Sequence, residues 1–399
     1  MKKRILFVDD EKNILQGLRR TLRSQRHQWE MFFAESGSEA LIFLKKNSFD
    51  AIVSDMRMPN MDGAQLLDEV KRLYPDIVRF VLSGHSDQEL IMRSVGPSHQ
   101  YLAKPCEVDV LISCLEEAFT LQSLLSSERL RTVVSGMSSL PSLPDIYQSV
   151  TEEISSNDGS IYSVGKLVVQ DPSMSAKVLQ LVNSAYFGIS RSVTSPTEAA
   201  NFLGLDILKA LILSEGVFSQ FDKATVRNLS LCNIKNRSML LANRARKISQ
   251  IETDNDTLDG QAFLSGLLHD IGSLILASNM PKEYIQSRQL VTELVSISDA
   301  EKQVFGATHA EIGAYILGLW GLDNDVVAAV AYHHSPESNP SLKFSALTAL
   351  FIADSIIIGS ENKPVFPNYA LAYIEQLGLA ERIPKWLSIC RSDQSEDVA

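Results

Sequence analysis

Five short apolar segments alternate with amphipathic segments in the first 120 residues, and this alternation constrains the fold more than any other feature. Short apolar runs of this kind are typical of strands buried on both faces of a parallel sheet. The segments between them carry apolar residues at helical spacing, as at Ile14, Leu15 and Leu18. We therefore predict an α/β domain with a doubly wound, flavodoxin-like parallel sheet, its functional site at the carboxyl ends of the strands. The predicted strands are Arg4–Val8, Met31–Ala34, Ala51–Ser54, Phe80–Leu82 and Tyr101–Ala103.

The rest of the 399-residue chain is too long to extend one core, and it is predicted to form a second, all-α domain. No alternating strand pattern is present after Pro144. The predicted helices are Ile161–Val169, Ser173–Asn183, Pro196–Phe202, Asp206–Gly216, Asn233–Ile248, Gln261–Ser278, His309–Leu319, Asp325–Tyr332 and Ala346–Ile358.

Apolar residues also recur at helical intervals from Val108 to about Val134. This pattern allows two interpretations: a last helix that caps the sheet, or one that continues outward as a linker. The segment from Leu140 to Pro144 ends it. The predicted organisation is a first domain at 1–120, a helical linker at 121–136, a helical domain at 137–390 and a flexible tail at 391–399.

Composition and charge exclude several classes of protein. With 45% hydrophobic and 21% charged residues, the chain resembles neither a disordered tract nor a membrane protein. The apolar stretch that follows Arg4 stops at Asp9, which is too short for a signal peptide. A formal net charge of −11 argues against nucleic-acid binding. The four cysteines form no CxxC pair, as expected of reduced thiols, so we predict a cytoplasmic protein.

Three aspartates are predicted to meet at one edge of the sheet. Asp9 and Asp10 end the first strand and Asp55 ends the third, and these ends are neighbours in a parallel sheet. Such crowding is unfavourable unless a hard divalent cation such as Mg²⁺ lies among the carboxylates; the alternative is solvated aspartates in turns. Ser83 and Lys104 follow the fourth and fifth strands, where they could bind the oxygens of a phosphoryl group on Asp55.

Together these positions resemble the response-regulator receiver family. The matching segments are Val8-Asp9-Asp10, Ser54-Asp55-Met56-Arg57-Met58-Pro59, Asp62-Gly63, Ser83-Gly84-His85 and Lys104-Pro105.

The resemblance implies that Asp55 accepts a phosphoryl group from a histidine kinase or a phosphotransfer protein. It also implies that Asp10, Asp55 and the Arg57 carbonyl bind Mg²⁺, with Asp9 acting through water. Ser83, where threonine is commoner, and Tyr101 would form the switch pair.

The second domain resembles the HDOD domain, a helical output module related to the HD phosphohydrolase fold. The resemblance covers roughly 137–340 and implies a regulatory module that binds another protein without turnover. It rests on Leu140-Pro141-Ser142-Leu143-Pro144, Asp171-Pro172-Ser173, Lys177-Val178-Leu179, Val182-Asn183-Ser184-Ala185-Tyr186-Phe187-Gly188 and Leu203-Gly204-Leu205.

A set of histidines and aspartates in this domain follows the order of an HD metal centre: His269, Asp270, His309, His333 and Asp354. The set is incomplete, because Arg237 stands where the first histidine is expected and cannot coordinate metal. Three interpretations remain: an inactive remnant in which Arg237 pairs with Asp270, a bound non-catalytic ion, or a catalytic metal centre. A cyclic-di-GMP phosphodiesterase is disfavoured, because Ser335-Pro336-Glu337 follows His333-His334 in place of Gly-Tyr-Pro.

The sequence thus predicts a phosphorylation-dependent regulator whose output is protein binding, without a second metal in the helical domain. Its output partner is unknown, and no membrane or nucleic acid is expected to take part. A homodimer through the linker helix is compatible with this prediction. The alternative is a metal-dependent phosphohydrolase controlled by the first domain.

Overall fold

The computed structural model describes residues 2–83, 98–122, 134, 140–142, 144–156, 160–183, 192–213, 218–220, 231–292, 294–339, 341, 343–358 and 364–396. Every structural statement below concerns these residues. Most of the predicted linker, 123–133 and 135–136, lies outside them, so both interpretations of the helix after Val108 stay predictions.

The first domain contains the predicted five-stranded parallel sheet. The strands are β1 (Lys3–Val8), β2 (Trp29–Ala34), β3 (Ala51–Asp55), β4 (Val78–Ser83) and β5 (Gln100–Ala103). Their order is β2-β1-β3-β4-β5, and every neighbouring pair is parallel. The sheet therefore changes winding direction at β1 and β3, which is where a doubly wound fold places its site.

Four α-helices accompany this sheet among the described residues: α1 (Lys12–Thr21), α2 (Gly37–Lys46), α3 (Gly63–Leu73) and α4 (Val108–Gln122). A 3₁₀ segment, Leu22–His27, follows α1. Side-chain caps fix two of the helix starts. Ser36 accepts the amide proton of Glu39 at α2, and Asp62 forms a capping box with Gln65 at α3.

The second region is rich in helices, as predicted. Its described helices are α5 (Pro144–Ser155), α6 (Ile161–Val168), α7 (Pro172–Val182), α8 (Pro196–Leu213), α9 (Leu231–Glu252), α10 (Asp256–Leu268), α11 (Ile271–Asn279), α12 (Pro281–Leu290), α13 (Ile297–Phe305), α14 (His309–Leu319), α15 (Asn324–Tyr332), α16 (Ala346–Ser355), α17 (Asn368–Gln376) and α18 (Ile383–Glu396).

The structure also contains short strands that the sequence did not predict. Strands β6 (Leu140–Ser142) and β7 (Phe218–Gln220) pair in parallel, and β8 (Ile357–Ile358) pairs with β9 (Pro364–Val365) in antiparallel fashion. The helical region is therefore not purely α. A helix predicted to reach Ile358 ends at Ser355, because the next residues enter β8.

Helix boundaries agree with the prediction at Gly204 and differ from it at Asp270 and in the predicted tail, 391–399. The single helix predicted over 261–278 is broken between α10 and α11, and Asp270 at the break has φ −99° and ψ 12°. Gly204, with φ 76°, divides α8 into the two helical halves that the sequence predicts. Helix α18 extends to Glu396 and therefore includes most of the predicted flexible tail, 391–399.

Buried apolar residues form two clusters. The larger one runs from the sheet through α5–α8 and α10–α15, so the first domain and the helical region share it. The smaller one lies between α9, α16, α17 and α18 around the fully buried Trp386, whose indole nitrogen donates to Glu252 at 2.9 Å. Helix α4 packs against α14, which joins the sheet domain to the helical region.

Candidate phosphorylation site and histidine cluster

The carboxyl edge of the sheet brings together Asp9, Asp10 and Asp55, as predicted. Strands β1 and β3 are paired up to Val8 and Ser54, so the aspartates that follow these residues emerge side by side. One oxygen from each of the three carboxylates lies within 4.8 Å of the others. Asp9 and Asp55 are buried, with 1% and 8% of their surface exposed, whereas Asp10 is exposed to solvent.

Lys104 supplies the positive charge that this carboxylate cluster requires. Its Nζ atom lies 2.7 Å from Asp9 Oδ2 and 2.7 Å from Asp55 Oδ1. Burial raises the pKa of Asp55, and the charge of Asp9 adds to this increase, while Lys104 acts against it. Burial opposes the charged form of Lys104, but Asp55 and Asp9 together raise its pKa above the ordinary value. The lysine is therefore a permanent cation beside the candidate phosphoacceptor.

Gly63 permits the close approach of α3 to Asp55. A Cβ atom at this position would lie 2.1 Å from the Asp55 carbonyl oxygen, well inside van der Waals contact. The Gly63 amide donates to the Met56 carbonyl at 2.9 Å, and the Met56 amide donates to the Leu82 carbonyl at 3.0 Å. These backbone bonds fix the loop that follows Asp55 between β4 and α3.

We expect Gly63→Ala to destabilise the protein, because a methyl group there must displace the backbone of Asp55. Overpacking of this kind costs about 1–3 kcal/mol. Gly17 in α1 is a matched control, since a Cβ there meets no atom within 4 Å. Gly17→Ala should be neutral or stabilise by up to about 1 kcal/mol. Equal urea midpoints for the two variants would contradict the steric role of Gly63.

The other predicted residues of this site take the expected positions in the chain. Arg57 lies in the loop after β3 with an exposed side chain, and Tyr101 is buried in the middle of β5. Ser83 ends β4 beside Ala103 of β5, but its side chain lies outside the described residues. The donor set of three carboxylates suits a hard divalent cation, since Mg²⁺ prefers oxygen ligands.

A second polar cluster lies in the helical region, where three histidines from two segments converge. His309 Nε2 lies 3.4 Å from His333 Nε2 and 3.1 Å from His334 Nε2. Asp270 Oδ1 lies 3.4 Å from His309 Nε2, and Asp270 Oδ2 lies 3.1 Å from His269 Nε2. His269, His309 and His333 are buried, whereas His334 is exposed. Solvent therefore reaches the cluster at His334.

A close helix crossing holds these groups together. A Cβ atom at Gly272 in α11 would lie 1.9 Å from the His309 carbonyl oxygen. Only a glycine therefore lets the start of α11, which follows Asp270, contact the start of α14 at His309.

Charges within the cluster compensate one another. Burial opposes ionisation of Asp270, but the adjoining imidazoles of His269 and His309 hold its pKa well below the ordinary value. Burial likewise opposes the charged form of His269, while Asp270 raises its pKa. Burial and the neighbouring imidazoles lower the pKa of His333. The ring of His334 is partly buried where it contacts His309, and loss of hydration there, together with the charges of His333 and His309, lowers its pKa to about 2. Both histidines therefore favour the neutral imidazole, which is the form that binds a metal.

Arg237 does not pair with Asp270, so that part of the prediction is wrong. Its guanidinium instead forms an ion pair with Asp354, the last member of the predicted metal set. Tertiary packing explains this pairing, because α9 packs against α16 and thereby places Arg237 opposite Asp354. Asp270 is occupied by the imidazoles described above. The predicted set therefore divides into a histidine–Asp270 cluster and a separate ion pair.

The sequence did not predict two residues that support the histidine cluster, Glu301 and Arg288. Glu301 is fully buried and accepts hydrogen bonds from the His309 amide and from His309 Nδ1, both at 2.7 Å. Arg288 Nη2 donates to its other oxygen at 2.8 Å. Such a carboxylate orients an imidazole through the nitrogen that does not face the cluster. No spacing rule connects α12, α13 and α14, so the sequence offered no signal for this arrangement.

Comparison with known protein families identifies both domains. The fold and the carboxylate edge are those of a response regulator receiver domain, and residues 5–116 match the model of that family. Residues 140–336 match the model of the HDOD domain. The chain therefore carries a receiver domain followed by an HDOD domain.

Individual relatives match only parts of their own length. The hydrogenase transcriptional regulatory protein HoxA of Cupriavidus necator is 36% identical over 122 residues, which are 30% of this chain and 25% of that protein. An uncharacterised protein of Treponema pallidum is 23% identical over 248 residues, 62% of this chain and 48% of the other. The chain thus spans a quarter to a half of these relatives.

Among solved structures, the MmoQ response regulator of Methylococcus capsulatus is 22% identical, with a TM-score of 0.45. The match covers 62% of this chain and 98% of that one. Across the described residues, no helix has the length and apolar character needed to span a membrane.

Proposed function

We propose that this protein is a cytoplasmic response regulator in which Asp55 accepts a phosphoryl group and the HDOD domain acts by binding another protein. The observation that carries the proposal is the juxtaposition of Asp9, Asp10 and Asp55 with the ammonium group of Lys104. The phosphoryl donor would be a histidine kinase or a phosphotransfer protein, as for receiver domains in general.

The proposed reaction uses groups that already lie at the edge of the sheet. A carboxylate oxygen of Asp55 attacks the phosphorus of a phosphohistidine; the new O–P bond forms as the N–P bond breaks, and the leaving imidazole takes up a proton. Lys104, now held between Asp9 and Asp55, can donate to a phosphoryl oxygen and balance its charge. Asp9, Asp10, Asp55 and the Arg57 carbonyl would hold Mg²⁺, which when bound neutralises charge on the transferring group.

Beryllofluoride binding tests this function, because it mimics a phosphoryl group on an aspartate. We expect fluorine NMR of the full chain to show a bound signal only when Mg²⁺ is also present. Chelation of Mg²⁺ with EDTA should remove the signal, because the carboxylates then repel the anionic adduct. A bound signal of equal intensity in EDTA would contradict the metal site.

A second candidate function, a metal-dependent phosphohydrolase, is favoured by the convergence of His309, His333 and His334. These nitrogens and Asp270 are suitable ligands for a transition metal, and the Glu301 bond to His309 Nδ1 is typical of such centres. The Arg237–Asp354 pair argues against it, because a cation occupies one of the carboxylates that a second metal would need. We therefore propose that the HDOD domain does not turn over a substrate.

Metal analysis combined with phosphodiesterase and nucleotidase assays distinguishes the two functions. We expect the wild-type protein to show no turnover with added Mn²⁺, Zn²⁺ or Mg²⁺. His309→Ala removes the central imidazole of the cluster, and His27→Ala, at an exposed site in the receiver, is its control. Stoichiometric metal and turnover in wild type and His27→Ala, both lost in His309→Ala, would establish the enzyme instead.

A further inference from the structure

The HDOD domain contains a cavity of about 410 Å³ whose described lining residues are all distinct from the histidine cluster. Its volume lies in the range of pockets that bind small molecules. Four segments form its walls: Val169 after α6, the chain from Ser192 into the start of α8, Arg246 near the end of α9, and the first two turns of α10. The cavity therefore lies where the beginnings of α8 and α10 meet.

Protein contacts alone hold one wall of this cavity in place. The side chain of Asn183 fixes the segment before α8, because its Nδ2 atom donates to the Val193 carbonyl at 2.8 Å and its Oδ1 atom accepts the Val193 amide proton at 2.7 Å. A Cβ atom at Gly260 in α10 would lie 2.3 Å from Thr194 Oγ1, so any larger residue there would displace this hydroxyl group. The wall is thus formed before a ligand arrives.

Asp259 contributes a buried charge to the lining of the cavity. Only 7% of its surface is exposed, and its Oδ1 atom has no hydrogen-bond partner among the described residues. A carboxylate oxygen that loses hydration without gaining a partner is unfavourable. Because Asp259 lines the cavity, a ligand that carries a positive charge can reach this carboxylate and compensate it.

The start of α10 does not explain why this carboxylate is buried. A helix dipole favours acidic residues in the first turn, but exposed Asp256 in the same turn receives this benefit without losing hydration. The helix is already capped by Asn255, whose side chain accepts the amide protons of Thr257 and Leu258. Asp259 is therefore not needed to begin the helix.

Arg246 brings the opposite charge to the same cavity. Its side chain is exposed, and within the described part of the chain it forms no ion pair, either with Asp259 or with another carboxylate. The guanidinium fork is well suited to a carboxylate ligand. The beginning of α8 at Pro196, which also lines the cavity, favours negative charge as well. The cavity thus offers separate partners for a cation and for an anion.

The arrangement suits an organic ion better than a metal ion. Among the described residues, groups of three or more ligand side chains with atoms within 4.8 Å of one another occur at the carboxyl edge of the sheet and in the histidine cluster, but not in this cavity. Val169 and Phe263 add apolar surface to the lining. A ligand with two opposite charges and an apolar part matches all of these features.

We propose that this cavity binds a free amino acid, with its ammonium group paired to Asp259 and its carboxylate paired to Arg246. The side chain of the amino acid packs against Val169 and Phe263. This site belongs to the HDOD domain, and its occupancy does not depend on phosphorylation of Asp55.

Isothermal titration calorimetry of the full chain tests the proposal. Each of the common amino acids is titrated at millimolar concentration, and we expect at least one to bind. The amine that lacks its carboxylate and the acid that lacks its ammonium group should each bind roughly tenfold or more weakly, because one charge-assisted hydrogen bond is lost. Failure of every amino acid to bind, or equal binding of the amine, would overturn the proposal. Tighter binding of putrescine would show that the cavity takes a dication instead.

Two variants test the assigned contacts. Asp259→Asn and Arg246→Gln should each weaken binding of the amino acid by roughly 10- to 100-fold. Asp254→Asn is the control, since Asp254 is exposed just before α10 and is not among the lining residues of the cavity. Equal affinities of Asp259→Asn and Asp254→Asn would contradict the role of Asp259.

Stability measurements distinguish ligand binding from a structural role of Asp259. Without ligand, Asp259→Asn should unfold at a higher urea concentration than the wild-type protein, because asparagine places no charge in the buried position. A saturating amino acid should raise the midpoint of the wild-type protein but not that of Asp259→Asn. A lower midpoint of the unliganded variant would show that the carboxylate supports the fold, and it would overturn the proposal.

Discussion

Asp55→Asn should abolish phosphorylation of this protein by acetyl phosphate. The amide oxygen is not nucleophilic enough to form an acyl phosphate, whereas the side chain keeps its shape and its place beside Lys104. Incorporation of radiolabelled phosphate, measured on the full chain with Mg²⁺, should fall to background. In the wild-type protein the label should be released by hydroxylamine, which cleaves acyl phosphates but not phosphate esters.

Asp50→Asn is the matched control for this experiment. Asp50 lies just before β3, at the opposite end of the strand that carries Asp55, where it accepts from the Arg4 amide at 2.7 Å and from Lys3 Nζ at 3.0 Å. Its loss affects a half-buried ion pair but not the carboxyl edge, so labelling should remain at the wild-type level. Labelling that persists in Asp55→Asn would refute the assignment of the phosphoacceptor.

Glu301→Gln should cause a large loss of stability in the HDOD domain. The Glu301 carboxylate is fully buried, and His309 and Arg288 lower its pKa although burial opposes this. Removing one partner of a buried charge pair costs about 3–5 kcal/mol; the side chain of Arg288 is 29% exposed, so we expect the lower end. This corresponds to a fall of roughly 6–12 °C in the thermal midpoint.

Glu311→Gln provides the control for the loss of charge alone. Glu311 forms the capping box of α14 with Thr308, and glutamine can accept the same bond from the Thr308 amide. Its thermal midpoint should stay within about 4 °C of wild type, since Glu311 is half-buried and a charge in the first turn of a helix contributes about 0.3–1 kcal/mol. A midpoint of Glu301→Gln that is equally close to wild type would show that the charge of Glu301 is dispensable.

The receiver was predictable from sequence because short continuous segments of the chain define its strands and its site. Each buried strand is a short apolar run, and the residues that follow the strands meet at one edge whatever the details of the helices. The positions of Asp9, Asp55 and Lys104 depend only on strand order and register. The sequence accordingly placed them correctly.

The helical region was less predictable because side chains from distant helices decide its site. The partner of Arg237 depends on how α9 crosses α16, and the role of Glu301 depends on three helices that no pattern relates. The break at Asp270 also escaped detection, since apolar residues continue across it without proline. Strands β6 to β9 are so short that they carry no alternation.

The packing of α4 against α14 has a practical consequence for experiments on fragments of this protein. A fragment without residues 1–120 would expose the side of α14 that α4 now covers. Newly exposed apolar surface promotes self-association. Aggregation of such a fragment would then reflect a missing neighbour rather than a defect in folding, and adding the receiver in trans should restore its solubility.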